Sequence, residues 1–225
     1  MTPQTPSKPD IRAFIFDYGN LLMSFDYNLF LAKIEPFTPL SIDQLHRKIY
    51  SPGTLNEQFE LGHLTGREFF EAVEKECQLR RISQPQFREA YSRIMTPLPR
   101  SYALVEELAG QGYALGLLSN TSPWIYDDNI RIMPIFPQFQ AISVSFKVGH
   151  KKPAEEIFHD QLDQLGLPPE EYIYLDDLQD YVDAANRLGF KAYEFNPAEN
   201  PAAYTVLGKE LKRDLGIRLE TLGTK

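Results

Sequence analysis

An α/β fold built on a parallel sheet, with a helical insertion after its first strand, is predicted by three features of this 225-residue sequence. A continuous apolar run, IRAFIF at 11–16, stops at a single carboxylate, Asp17. From residue 99 onward, short apolar runs alternate with amphipathic segments bounded by helix start and stop signals. Between these regions, residues 25–98 have a different texture, with apolar residues at helical spacing.

Each element follows from local physics. An unbroken apolar run such as 11–16 suits a strand buried on both faces of a parallel sheet. The preceding MTPQTPSKPD (1–10) is rich in proline and is expected to be a loose tail. In the insertion, SIDQ (41–44) and TGRE (65–68) match the capping box, in which Ser or Thr and a Glu or Gln satisfy backbone donors reciprocally. FELGHLTGREFFEAVEKECQL (59–79) reads as two helices broken at Gly62 and Gly66, and no strand is expected within 25–98. Beyond it, SYALVEELAGQG (101–112) is a helix stopped by Gly112, and YALGLLS (113–119) a buried strand. Ser122-Pro123 opens another helix, AISVS (141–145) is a strand, and PAEEIFHDQLDQLG (153–166) a helix. YIYL (172–175), LQDYVDAANRLG (178–189) and FKAYEF (190–195) continue as strand, helix and strand, and 201–215 reads as a last helix. Strands alternating with helices imply right-handed crossovers and three layers. The expected architecture is a Rossmann-like core of residues 11–24 and 99–225, interrupted by an all-helical insertion at 25–98.

Composition excludes several function classes. A hydrophobic content of 43% supports a sizeable core, and a net charge of -8 disfavours a nucleic-acid partner, whose phosphates need a basic face. The single cysteine, Cys77, rules out a disulfide framework or a cysteine-based zinc site and reads as a small hydrophobe. No stretch approaches the ~18 apolar residues of a membrane span, and the N-terminus has no secretory apolar region. A soluble cytoplasmic protein, monomer or homodimer, without membrane or nucleic-acid partners is expected.

In an open parallel sheet, ligands bind beyond the carboxyl ends of the strands. Asp17 follows the first strand, Ser119-Asn120 the second, and Asp176-Asp177 the YIYL strand, while GHKKP (149–153) sets a lysine pair before a helix. Singly these residues have ordinary readings: a loop acid, a helix cap, a solvated charge. In this order they converge on one edge.

FIFDYGNLL, LGLLSNTS, GHKKPAEEIF and YIYLDDLQDYVDAANRLG together resemble the four ordered motifs of the haloacid dehalogenase-like hydrolases. The first motif is similar to that of an Asp-x-Gly-Asn subgroup which includes a phosphatase of α-glucose 1-phosphate. The resemblance covers residues 11–195 and implies that the insertion is a cap of the C1 type. It implies Asp17 as nucleophile, Ser119 and Asn120 as phosphate ligands and Lys152 as the third-motif lysine, with Lys151 a surface charge. A Mg²⁺ cofactor is implied, held by Asp17, the Gly19 carbonyl and Asp177, with Asp176 behind them or as the alternative ligand. The implied reaction is hydrolysis of a small phosphorylated metabolite, a sugar phosphate among the candidates, through an aspartyl-phosphate. A metal-free 2-haloacid dehalogenase is the rival within the family, although such enzymes replace the fourth-motif acids that this chain keeps. A weakly catalytic relative that binds a phosphorylated ligand or a protein is the rival outside catalysis.

Two positions depart from the pattern. Gly19 stands where most such phosphatases carry a second Asp as general acid and base, a loss of the kind that costs a factor of about 10²–10⁴. Either the leaving group departs without help, or an insertion residue takes over; Asp26 and His63 are the candidates. Tyr181 stands where an acid often braces the metal site, with Asp180 one residue before it.

Overall fold

The structure is a computed structural model describing residues 10–224; the expected loose tail lies outside the described residues except for Asp10, which is exposed. The first apolar run becomes β1 (Ala13–Phe16), buried along its whole length. It is followed by β2 (Met23–Phe25), β3 (Met95–Pro97), β4 (Ala114–Ser119), β5 (Ala141–Val144), β6 (Tyr172–Asp176) and β7 (Lys191–Glu194). Five of these form one sheet in the order β5-β4-β1-β6-β7, every neighbouring pair parallel.

Period-two alternation splits β1 between two layers. Phe14 and Phe16 join Leu104 and Leu108 of helix Pro99–Gly110 and Leu207 and Leu211 of helix Ala203–Leu215 in one buried cluster. Ala13 and Ile15 join Ile157 and Phe158 of helix Glu155–Leu165 and Ala184 and Ala185 of helix Gln179–Arg187 in the other. The sheet is therefore sandwiched between helices, the expected three-layer α/β arrangement. Among the described residues no helix is long and apolar enough to cross a membrane.

The insertion consists of helices Tyr27–Ile34, Ile42–Tyr50, Leu55–Glu60, Gly66–Glu76 and Gln84–Ser92. Both anticipated capping boxes form, at Ser41 with Gln44 and at Thr65 with Glu68. The expectation of no strand within 25–98 is overturned at both ends. Phe25 closes β2, and β3 pairs with it in antiparallel register, Ser24 opposite Thr96. Three-residue strands are too short to show a period, so this ribbon at the root of the insertion left no trace in the pattern.

Gly66 also differs from its reading as a breaker. Gly62, with φ +73°, lies between the helices, but Gly66 is the first residue of Gly66–Glu76. Its lack of a side chain serves Trp124: a Cβ at Gly66 would come within 2.3 Å of the indole nitrogen. Trp124, just after Ser122-Pro123 in the core, enters a ring of insertion aromatics. Phe59, Phe69, Phe87 and Tyr91 present edges to it at centroid distances of 5.1, 5.7, 6.1 and 5.7 Å. Arg88 adds a bidentate pair to Asp128, with N–O distances of 2.8 and 2.7 Å. Insertion and sheet thus share one hydrophobic cluster.

Trp124→Ala should cost about 3–5 kcal/mol, the range for emptying a buried aromatic site, and lower the melting temperature by roughly 10 °C. Thermal unfolding followed by circular dichroism checks this; an unshifted transition would contradict the docking role of the indole.

Candidate active site

β1, β4 and β6 lie side by side, so their carboxyl ends deliver Asp17, Ser119 and Asp176-Asp177 to one edge of the sheet. Asp17 continues the ladder, its N–H donating to the Leu175 carbonyl at 2.9 Å. Lys152 arrives from the loop after β5 and is 1% exposed. Its Nζ donates to Asp17 Oδ1 and to Asp176 Oδ2, each at 2.6 Å. Asn120 clasps the lysine's backbone: the Lys152 N–H donates to Asn120 Oδ1 at 2.7 Å, and Asn120 Nδ2 donates to the Lys152 carbonyl at 3.1 Å.

Asp176 and Asp177 have different surroundings. Asp176 is fully buried and saturated: Oδ1 accepts from the Leu178 N–H at 2.9 Å, and Oδ2 accepts from Lys152 and the Tyr174 hydroxyl. Asp177 is only half-buried and accepts one side-chain bond, from Asn20 Nδ2 to Oδ2 at 2.9 Å. Asp17, Asp176 and Asp177 bring carboxylate oxygens within 4.8 Å of one another.

One ammonium thus faces three carboxylates. Burial, together with the charges of Asp176 and Asp177, raises the Asp17 carboxyl to about 7 against the pull of Lys152. Burial likewise raises Asp177, with Asp176 adding to it and the Asn20 bond opposing. Lys152 loses proton affinity to burial but gains more from Asp17 and Asp176, so it stays protonated. This excess of negative charge, presented to the cavity as hard carboxylate oxygens of Asp17 and Asp177, fits a hard divalent cation such as Mg²⁺.

These groups open onto a cavity of about 280 Å³. Asp17, Gly19, Ser119, Asn120, Lys152 and Asp177 all line it, so the residues singled out from the sequence are brought together. Asp26 and His63 are not. Asp26 is exposed and caps helix Tyr27–Ile34, accepting from the Asn28 N–H at 2.8 Å; His63 is exposed too, and neither lines the cavity. Lys151, read as a surface charge, lines the cavity and pairs with Glu57 at 3.1 Å. Tyr181 accepts a bond from Asn120 at 3.3 Å, whereas Asp180 is exposed; the bracing of Asp177 comes from Asn20 instead. At Gly19 a Cβ would sit 3.0 Å from the Phe25 ring, which occupies the direction a second aspartate would take.

Sequence reasoning gave no role to Asn20, Tyr174 or Glu60. Asn20 has φ +53°, a conformation Asn tolerates better than most residues, so a Gly-Asn pair after a buried strand was a usable signal. Tyr174 lies within the apolar YIYL run and Glu60 within a helical segment, where no local pattern sets either apart.

Residues 25–194 match the family model of haloacid dehalogenase-like hydrolases. D-ribitol-5-phosphate phosphatase of Bacteroides thetaiotaomicron is 21% identical over 82% of this chain and 91% of its own. A predicted HAD-like family hydrolase of Porphyromonas gingivalis superposes with a TM-score of 0.74 at 26% identity, covering 88% of this chain and 98% of that one. A HAD family enzyme of B. thetaiotaomicron, solved with magnesium and inorganic phosphate, gives a TM-score of 0.73 at 21% identity over 82% of this chain and 94% of its own.

In metal-free protein, Asp17 raised from 3.8 to about 7 keeps its proton in the folded state where the unfolded chain has lost it. Its contribution to stability therefore declines as pH rises from about 4 to 7. Relative to Asp17→Asn, the wild-type melting temperature in EDTA should therefore fall across this window; a difference that does not change with pH would contradict the assignment.

Proposed function

Because the chain belongs to the haloacid dehalogenase-like hydrolase family, we propose that it hydrolyses the phosphate monoester of a small metabolite through an aspartyl-phosphate on Asp17. The observation that carries this reading is the environment of Asp17: a buried carboxylate facing the cavity, with one oxygen fixed by Lys152 and the other left for attack. A fixed oxygen orients the nucleophile, and an oriented nucleophile saves much of the entropy of reaction.

In this reading the Asp17 oxygen attacks phosphorus and the ester oxygen leaves; water then attacks the aspartyl-phosphate and releases inorganic phosphate. Ser119, the Asn120 N–H and the Lys152 ammonium hold the phosphoryl oxygens. Lys152 serves twice, because its bond to Asp176 fixes where its charge sits. Asp17, the Gly19 carbonyl and Asp177 would hold Mg²⁺, which when bound offsets the charge of the phosphoryl group. Asp176, saturated by Leu178, Lys152 and Tyr174, orients the lysine and stays off the metal. The insertion acts as a cap that limits water access to the aspartyl-phosphate.

The cavity's size, about 280 Å³, suits a compact substrate, and its Tyr, Asn, Ser and Thr lining suits hydroxyl groups. A relative named for D-ribitol 5-phosphate and an Asp-x-Gly-Asn first motif support a sugar or polyol phosphate as the class. The retained Asp176-Asp177 pair and the unpaired negative charge favour this over haloacid dehalogenation, which needs no cation.

The protein should release phosphate from p-nitrophenyl phosphate with Mg²⁺, lose at least a factor of about 10³ on Asp17→Asn, as for removal of a covalent nucleophile, and release no chloride from 2-chloropropionate. Undiminished turnover in EDTA, or in the Asp17→Asn protein, would refute the mechanism. Lys152→Met should lower kcat by about 10²–10³, the scale of losing one preorganised charge stabiliser, with Mg²⁺ still protecting against heat. A kcat within threefold of wild type would oppose its role.

A further inference from the structure

Gly19 leaves the reaction without the acid that normally protonates the departing oxygen, and Phe25 fills the space beside it. A replacement has to reach the same cavity from elsewhere. Among the described residues lining the cavity, the carboxylates are Asp17, Asp177 and Glu60. The first two are committed to the nucleophile and the cation in the reading above. Glu60 ends helix Leu55–Glu60 of the insertion, on the opposite wall.

Its placement is built rather than incidental. Asn56, one turn earlier, donates from Nδ2 to Glu60 Oε1 at 2.9 Å. Asn56 Oδ1 in turn accepts from the buried Tyr91 hydroxyl at 2.8 Å, and that hydroxyl lies 3.2 Å from Ser122 Oγ on the core side. The backbone is tied down as well: Ser145 Oγ donates to the Glu60 carbonyl at 2.6 Å. One carboxyl oxygen is thus fixed from behind, and none of these bonds uses Oε2.

Burial, more than charge, raises the proton affinity of this carboxyl. Lys151 sits 3.1 Å from Glu57 but 3.9 Å from Glu60 Oε2, beyond hydrogen-bond reach. Glu57 is lowered by the Gly53 N–H and by Lys151, so it takes the lysine's charge. Glu60 is raised, chiefly by burial, with Glu57 adding and Lys151 and Asn56 opposing. The other groups facing it are the phenols of Tyr27, Tyr50 and Tyr91, all raised by burial and uncharged.

We propose that Glu60 is the proton donor and acceptor of this hydrolase, supplying from the insertion what Gly19 cannot. The inference rests on the aspartyl-phosphate reading. As Asp17 attacks phosphorus and the phosphorus–oxygen ester bond breaks, the electron pair goes to the leaving oxygen and the Glu60 proton joins it. This releases the alcohol and leaves a Glu60 carboxylate. That carboxylate takes a proton from the water that attacks the aspartyl-phosphate, so inorganic phosphate leaves and Asp17 and the Glu60 acid are restored.

Leaving-group dependence tests this, because p-nitrophenolate departs unaided and an alkoxide does not. First-turnover release is measured by rapid quench with Mg²⁺ for p-nitrophenyl phosphate and for glycerol 1-phosphate. Glu60→Gln keeps the size and the bond to Asn56. It should slow glycerol release by 10²–10⁴, the usual worth of a general acid, and p-nitrophenol release by less than fivefold. Glu60→Asp should recover part of the loss. Equal slowing of both substrates, a change confined to KM, or wild-type turnover of p-nitrophenyl phosphate with none of glycerol 1-phosphate would overturn the assignment. Failure of the underlying reading shows separately, as p-nitrophenyl phosphate turnover that survives Asp17→Asn. Melting curves of both Glu60 variants distinguish lost chemistry from lost fold.

Discussion

The site depends on a buried lysine held between two aspartates. Lys152 lies where no cation would stay without compensation, and Asp17 and Asp176 compensate it at 2.6 Å each. Each partner comes from a different part of the sheet: Asp17 from the end of β1, Asp176 from the end of β6, and Lys152 from the loop beyond β5. Removing one member of a buried charged cluster leaves the others uncompensated, which is far costlier than losing a surface pair. The cluster therefore ties the mutual position of three chain segments to the position of the Asp17 carboxylate. The Asn120 clasp on the Lys152 backbone and the Tyr174 hydroxyl on Asp176 serve the same geometry.

Much of the core and most of the site were legible in the sequence, for identifiable reasons. β1, β4 and β6 are buried on both faces, so their apolar runs were continuous, and the polar residue ending each run marked the edge of the sheet. Capping boxes act over three residues, so Ser41 and Thr65 announced their helices without tertiary help. The β2–β3 ribbon was not legible, because its strands are three residues long and separated by the whole insertion. Gly66 looked like a breaker because its true constraint, the indole of Trp124, lies far along the chain. Asp26 and His63 were attractive for nearness in sequence, which a folded insertion does not preserve; Glu60 reaches the cavity because its helix ends there.

Asp176 and Asp177 show how neighbours in sequence separate in surroundings. In a strand, successive side chains point to opposite faces. Asp176, the last residue of β6, turns into the protein and finds Lys152, Tyr174 and the Leu178 amide. Asp177 lies past the strand end and, among the described side-chain donors, meets Asn20 alone. No property of the dipeptide alone could rank them; the number of donors already bound to each does.

The indole in the hollow over Gly66 has a consequence for how this architecture can diversify. An insertion that shares its hydrophobic interior with the sheet is not a detachable module. A helical segment transplanted from another chain onto the same ribbon would arrive without a glycine-floored recess and would leave Trp124 against water. Exchange of insertions, the obvious route to new substrates, is closed here unless residues 66 and 124 change together. Substrate range is more freely altered at an inner-wall side chain such as Tyr27, which lines the cavity and stacks on Tyr50.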